Sequence, residues 1–454
     1  MNTHPHAGAL AQPAPASPVP PTSPALPHAV PDDPALDALY RRIAWRLMPI
    51  LLVAQVLAYL DRVNIGTAKL QMAADLSLSA TAYGLGAGIF FLGYFFFEVP
   101  SNLLLHRLGA RAWIARIMVS WGLLSAAMGW VQSTTGFYVL RFLLGVAEAG
   151  FFPGIVLYLT YWFPAHRRGR MTTLFMSATA VAGIVGGPLS GWILAAFDGQ
   201  LGHAGWRWMF ALEGLPSALV GVLVFFLLPS RPREVRWLSA DALALLEADL
   251  AKAAPAQARL HRASDILNGT VMLFALIYFL LLAGLYGVSF WLPSVIRTAG
   301  IASTVTVGWL SAIPYAVAMV AMNVVARQAD KRRNWGTLVG SCALVAGAGF
   351  CVSAFTVNQL APAMAALTVA SAGILSALPL FWNLPTARLH GVAAAAGIGF
   401  INAIGNLSGF VSPFAIGWLT DLTHTATAGV GLLGACAMLA GALTLAYARR
   451  GRPS

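Results

Sequence analysis

Four ionisable residues stand where a soluble chain would not put them. Asp61 and Arg62 are adjacent in Tyr59-Leu60-Asp61-Arg62-Val63-Asn64, and Arg141 and Glu148 are seven apart in Arg141-Phe142-Leu143-Leu144-Gly145-Val146-Ala147-Glu148. All four lie in long apolar runs. A charge in hydrocarbon costs about 2.5–3.5 kcal/mol or more, so each needs a polar cavity, a partner or a task. Neighbours on a helix do not share a face, so Asp61 and Arg62 should each find a partner on another helix, unless they are an interfacial pair reaching the outer surface. A spacing of seven puts Arg141 and Glu148 on one face, two turns and about 10 Å apart, too far for a direct pair. A bound substrate, or Asp61 and Arg62, could lie between them. A guanidinium is a permanent cation with a fork of donors that suits a carboxylate. A carboxyl balanced between burial, which favours its neutral form, and a guanidinium, which favours its charged form, can carry a proton. The plainer alternative for Glu148 is a structural ion pair locking the bundle.

Other polar residues are fewer or weaker signals. Glu98 fits packing or gating better than substrate binding, and Glu213 could pair with Arg207 or a helix terminus. The second half offers uncharged candidates, Asn383, Asn402 and Asn406, with Trp382 beside them. Asn402 and Asn406 are four apart and share a face, where they could also act as helix–helix glue.

The elements that must position these residues are membrane helices. Hydrophobic residues make up 58 % of the 454 and charged residues only 10 %, which excludes an ordinary soluble domain. Twelve apolar runs are long enough to span a bilayer: 46–66, 82–105, 112–132, 136–163, 171–195, 206–228, 270–291, 304–326, 335–354, 358–382, 388–414 and 426–447. The net charge of +12 sits mostly in alternate short loops, which sets topology rather than marking a nucleic-acid surface. That bias predicts both termini on the cytoplasmic side. Residues 1–38, rich in Pro, Ala and Ser, read as a disordered tail and 449–454 as a second tail. The stretch 229–269 reads as a linker with an amphipathic helix near Ser239–Glu247, between six-span units at 39–228 and 270–448. Cys342, Cys351 and Cys436 show no metal or disulfide spacing.

The two units echo each other. Arg107 is matched by Lys331, Trp162-Phe163-Pro164 by Trp382–Pro385, and Pro188–Trp192 by Pro413–Trp418, with offsets near 220–225. Such a duplication fits a transporter that rocks one bundle against the other.

These residues resemble the major facilitator superfamily. The loop Asn102–Arg111 is similar to the family's signature loop, with Asn102 where glycine and His106 where aspartate is usual. Its counterpart after span 8 keeps Asp330 and Lys331, with Ala326 for glycine. More narrowly, the chain resembles the anion:cation symporter branch of tartrate, phthalate and sugar-acid transporters. The matching pieces are Asp61–Ile65, Pro100–Leu103, Gly109–Arg111, Arg141–Gly154 and Gly405–Phe410. The resemblance implies an all-α membrane protein of twelve transmembrane helices in two pseudo-symmetric six-helix bundles, the major facilitator fold. It implies proton coupling by Asp61 and Glu148, and anion binding, or a link to those acids, by Arg62 and Arg141. Tyr59, Tyr94 and Asn402 or Asn406 would line the site.

The expectation is therefore proton-coupled uptake of a small organic carboxylate by alternating access, in a bacterial inner membrane, by a monomer. Trp382 and Asn383 would add to the substrate site, while Arg107, Arg111, Asp330 and Lys331 would gate it. No metal, cofactor, nucleic-acid partner or enzymatic activity is expected. The alternatives are an exchanger or facilitator without proton coupling, and a membrane sensor.

Overall fold

In the computed structural model, residues 34–252, 268–332, 334–389 and 391–450 are described, and their regular structure is helical. The first half comprises α1 (Pro34–Asp75), α2 (Ala80–Leu108), α3 (Ala110–Ala127), α4 (Thr134–Glu148), α5 (Phe151–Thr160), α6 (Ala165–Ala196) and α7 (Gly205–Leu227). Next comes α8 (Ala240–Lys252). The second half comprises α9 (Gly269–Thr298), α10 (Thr304–Arg332), α11 (Trp335–Thr356), α12 (Leu360–Phe381), α13 (Asn383–Arg388), α14 (Gly391–Asn406), α15 (Ser408–Thr423) and α16 (Thr427–Arg450). These supply twelve stretches long and apolar enough to cross a bilayer. The fourth, tenth and eleventh crossings are each two helices end to end, α4–α5, α12–α13 and α14–α15.

Several boundaries differ from the sequence reading, among them both tails and the end of the eleventh crossing. The tail expected over 1–38 stops sooner, because helix begins at Pro34. Proline is well suited to the first helical position, where its missing N–H is no loss. Leu36, Leu39, Tyr40 and Ile43 then bury an apolar stripe. The tail expected from 449 also shrinks, because α16 runs through Arg450. The eleventh crossing does not close at Pro413–Trp418. Proline is tolerated within a membrane helix, and α15 carries Pro413 internally to reach Thr423. Residues 1–33, 253–267 and 451–454 of the expected tails and linker lie outside the described residues.

The linker helix α8 docks on the overhang of α1. Tyr40 Oη donates to Asp249 (2.7 Å), Arg42 donates to the Trp237 carbonyl (2.7 Å), and the Arg46 guanidinium sits 4.8 Å from the Trp237 ring centroid. Arg233 donates twice to Glu247 (2.5 and 3.0 Å) and holds that exposed carboxyl below its usual range.

Within the first half α1 packs on α6 and α7, α2 on α4, and α3 on α7; within the second, α11 packs on α12 and α16, and α9 on α14, α15 and α16. The halves meet mainly where α1 packs on α9, α6 on α10, and α2 on α15, with a smaller contact of α2 with α14. Two of these contacts, α2 with α15 and α6 with α10, mirror each other. The second crossing of either half meets the fifth of the other, as a duplication requires. The loops rich in arginine gather at one end of the bundle, called here the basic end. The opposite end, with the loops after α1, α9 and α15, is the far end.

The seam between the halves runs from mid-molecule to the far end and is built on backbone. A Cβ on Gly308 would fall 2.3 Å from the Gly187 carbonyl, and one on Gly84 would fall 2.3 Å from that of Pro413. Small residues let helices approach this closely where lipid offers no hydrophobic drive. Asp421 of α15 accepts from the Ala80 and Thr81 amides of α2 (3.0 and 2.7 Å). Lys69 Nζ lies 3.4 Å from the Trp291 ring centroid and 4.6 Å from that of Tyr83. Among the described residues, the cross-bundle hydrogen bond nearest the basic end joins Asn402 to Glu98 at 3.5 Å, a long contact. Among the described residues, the close contacts between the halves thus gather at the far end.

Candidate functional site

Glu148 is the last residue of α4. Gly150 follows at φ +84°, a conformation that suits glycine, and its missing Cβ would fall 2.4 Å from Ser101 Oγ. The crossing therefore breaks just after the acid and resumes as α5. Broken membrane helices are where transporters expose polar groups at mid-depth. Arg62 of α1 pairs directly with Glu148. The two side chains differ in access: Arg62 keeps 18 % of its surface exposed and Glu148 only 2 %. The guanidinium is flanked by Phe90 (5.4 Å to the ring centroid) and Tyr94 (5.6 Å) of α2. Phe91 carries this aromatic wall to Tyr286 of α9 in the other half, with ring centroids 4.5 Å apart.

Asp61 points the other way. It is buried among three neutral donors: Trp121 Nε1 (2.9 Å) and Ser125 Oγ (2.9 Å) from α3, and Ser217 Oγ (2.6 Å) from α7. As expected, then, Asp61 and Arg62 find separate partners on other helices. Of the two, it is Arg62 that pairs with Glu148, and its guanidinium shares the Phe90 ring with that of Arg141.

Arg141 is fully enclosed. Its Nε and Nη2 donate to the Gly86 and Ala87 carbonyls of α2 (3.2 and 3.0 Å), and it lies 5.0 Å from the Phe90 ring centroid. In this state its fork is spent on backbone, and Nη1 is left without a partner. Glu213 does not pair with Arg207, one of the two partners its sequence allows. It accepts from Asn64 (3.0 Å) and Ser190 (2.7 Å), and Arg207 instead donates to the Gly129 and Val131 carbonyls. A buried carboxylate takes the donors its neighbours offer, and arginine at a helix start is free to cap a nearby turn.

The second half faces this cluster with amides and rings. Tyr286 Oη donates to Asn406 Oδ1 (3.2 Å), and Asn402 reaches Glu98. Asn406 ends α14 at the break before α15. Trp382 sits at the α12–α13 break with its ring 4.8 Å from that of Tyr278, while Asn383 turns back to the Leu380 carbonyl. Tyr59 lies nearer the seam, where its hydroxyl meets Ser289 (3.2 Å) and through it Tyr315 (3.1 Å). The gating candidates are apart from all this. Arg107 and Lys331 are exposed, and Arg111 is exposed with its guanidinium 5.4 Å from the Phe225 ring centroid. None of the three ion pairs among the described residues includes them. Asp330 has a described position on α10, but its side chain lies outside the described ones.

Residues 51–413 match the model of the Major Facilitator Superfamily. The chain belongs to that superfamily. It is 45 % identical over 418 residues to a Pseudomonas putida protein named "Putative metabolite transport protein NicT", covering 91 % of this chain and 95 % of that one. It is likewise 45 % identical over 414 residues to an Agrobacterium vitis protein named "Putative tartrate transporter", covering 90 % and 91 %. In fold it is similar to the partially occluded inward open conformation of the xylose transporter XylE from E. coli, with TM-score 0.70, 14 % identity, and 90 % and 99 % of the two chains covered. This facilitator is thus a multi-pass membrane transporter, with twelve crossings among the described residues, rather than an enzyme.

Sequence reasoning missed the donors around Asp61 and the partners of Glu213. A signal was present: Asp61 and Asn64 are three apart on α1, and Glu213 and Ser217 four apart on α7, so each helix offers two polar residues on one face. Lys69 lies beyond the span expected over 46–66, yet it is part of α1 and of the far-end seam.

Proposed function

We propose that this facilitator takes up a small organic carboxylate, a tartrate-like dicarboxylate or a related acid, together with protons, across a bacterial inner membrane. The observation that carries this is the Arg62–Glu148 pair at the break in the fourth crossing, with Arg62 its accessible member. The likeness to proteins named for tartrate and metabolite transport supports the substrate class.

The chemistry follows from competition for one cation. While Glu148 is ionised it occupies the Arg62 fork. A proton on Glu148 removes its charge and frees the guanidinium for a substrate carboxylate, which can take it in bidentate fashion. Deprotonation returns Glu148 to Arg62 and expels the anion. Proton and anion thus load and leave together. A second proton on Asp61 would alter its bonds to Trp121, Ser125 and Ser217, and so the seating of the helix that carries Arg62. Tyr94, Tyr286, Asn402, Asn406 and Trp382 supply rings and amides around a carboxylate or its hydroxyls. Asn383 and Tyr59 border the same space, and Arg141 braces α2 behind it. Arg107, Arg111, Asp330 and Lys331 act at the basic end, which we take as cytoplasmic with both termini, and the working unit is a monomer.

Purified protein in liposomes carrying a pH-sensitive dye tests this under an inward proton gradient, with tartrate, phthalate, galactonate and nicotinate as probes. Wild type should admit protons with one of these anions. Glu148→Gln, which fixes the neutral form, should keep anion exchange but lose gradient-driven accumulation by about tenfold or more, with a flattened pH profile. Anion entry without protons in the wild type would point to exchange or facilitated diffusion instead.

A further inference from the structure

The transport reading above leaves Glu213 without a task. It lies on α7, is 3 % exposed, and takes its bonds from Asn64 Nδ2 of α1 and Ser190 Oγ of α6. Neither donor is charged, and no ion pair among the described residues includes Glu213. The titratable group facing it is Asp61; α1 also brings Asn64, α6 brings Ser190, and α3 gives Trp121 and Ser125 to Asp61. In these contacts both acids meet only neutral donors, and two ionised carboxylates in such an interior are far costlier than one.

The partners of the two acids are not alike. Both acids have serine hydroxyls, which can turn over, but Asp61 adds Trp121, which offers a donor and nothing else. Asn64 has both a donor and an acceptor, and its Oδ1 is buried without a partner. By turning over, that amide can serve Glu213 with or without a proton, and the Ser190 hydroxyl can do the same. Both partners also stand beside the far-end seam. Asn64 is two residues before Gly66, where a Cβ would fall 2.7 Å from the Ser289 carbonyl of α9. Ser190 is one residue before Gly191, where a Cβ would fall 2.5 Å from the Thr304 carbonyl at the start of α10. Glu213 thus holds two of the three helices that the first half presses against the second.

We propose that Glu213 is a positioning residue of the transport cycle, one that binds and releases a proton and thereby sets how α1 and α6 seat against the second bundle. The inference rests on the proton coupling proposed above and adds a site to it.

The test uses full-length wild type, Glu213→Gln and Ser190→Ala in proteoliposomes, with tartrate as the probe. Glu213→Gln should exchange tartrate at equal pH within about threefold of wild type, yet lose proton-driven accumulation by about tenfold or more and lose its pH dependence. Ser190→Ala, which removes one bond and keeps the acid, should accumulate within about threefold of wild type. A Gln variant with the accumulation and pH profile of the wild type overturns the proposal, as does an equal loss in both variants. Should the Gln variant fail to exchange at all, Glu213→Asp decides: a displaced pH profile supports the proposal, and an unchanged one overturns it. Wild type moving no protons with tartrate would bring down the coupling reading and this inference with it. Proton movement unaltered by Glu213→Gln would bring down this inference alone.

Discussion

The two halves share one architecture and divide the chemistry. In the first, the buried polar residues include Asp61, Glu98, Arg141, Glu148 and Glu213. In the second, the buried polar residues among those described are serines and one threonine, and Ser353, Ser371, Ser376, Ser408 and Ser412 leave their hydroxyl oxygens without a partner. One bundle is cross-linked by charge. The other is held by small residues and apolar packing, as in α11 against α16, where a Cβ on Gly434 would fall 2.7 Å from Cys351 Sγ. A bundle without buried charge can shift against its neighbour without exposing an uncompensated ion. Under the proposed function, the contrast assigns the sensing of protons and anion to the first half, and the shaping of the site and the movement to the second.

This division can be broken by experiment. The largest effect should come from Arg62→Gln. Removing one member of a buried ion pair costs about 3–5 kcal/mol, so anion uptake by proteoliposomes should fall by about 100-fold or more. A comparable loss from any single second-half substitution would end the asymmetry. Next comes the seam. Gly308→Val drives a side chain into the Gly187 carbonyl and should favour the state parted at the far end. Uptake should fall about tenfold, with a longer cross-seam distance between paired spin labels. The smallest effect belongs to the amides. Asn402→Leu and Asn406→Leu should each raise the KM for the transported anion by about threefold to tenfold, in line with about 1 kcal/mol for an interhelical polar contact. Proton-to-anion stoichiometry, read from parallel dye and radiolabel fluxes, should not change. A change in stoichiometry would carry proton coupling into the second half.

Much of this was legible in the residues. Apolar run length yielded twelve crossings, because a bilayer imposes one length scale on every helix. The cost of buried charge singled out Asp61, Arg62, Arg141 and Glu148 before any geometry was available. The partners were harder to read. Arg141 spends its donors on the Gly86 and Ala87 carbonyls, and backbone carbonyls carry no sequence signal. Asp61 is satisfied by Trp121, Ser125 and Ser217, residue types common in any membrane helix. The seam was invisible for a similar reason: it consists of glycines such as Gly187 and Gly308, whose meaning lies in what approaches them.

The contact between Asp421 and the start of α2 has a consequence of its own. Helix starts carry amides with no partner inside the helix, and here two of them are satisfied from the opposite bundle. Ser79 covers a third amide, that of Ala82, from within the same segment. When the far end parts, the amides of Ala80 and Thr81 lose Asp421 while that of Ala82 keeps Ser79. Deuterium uptake at the first two, referred to the third, then counts how often the far end stands open, with no label attached to the protein.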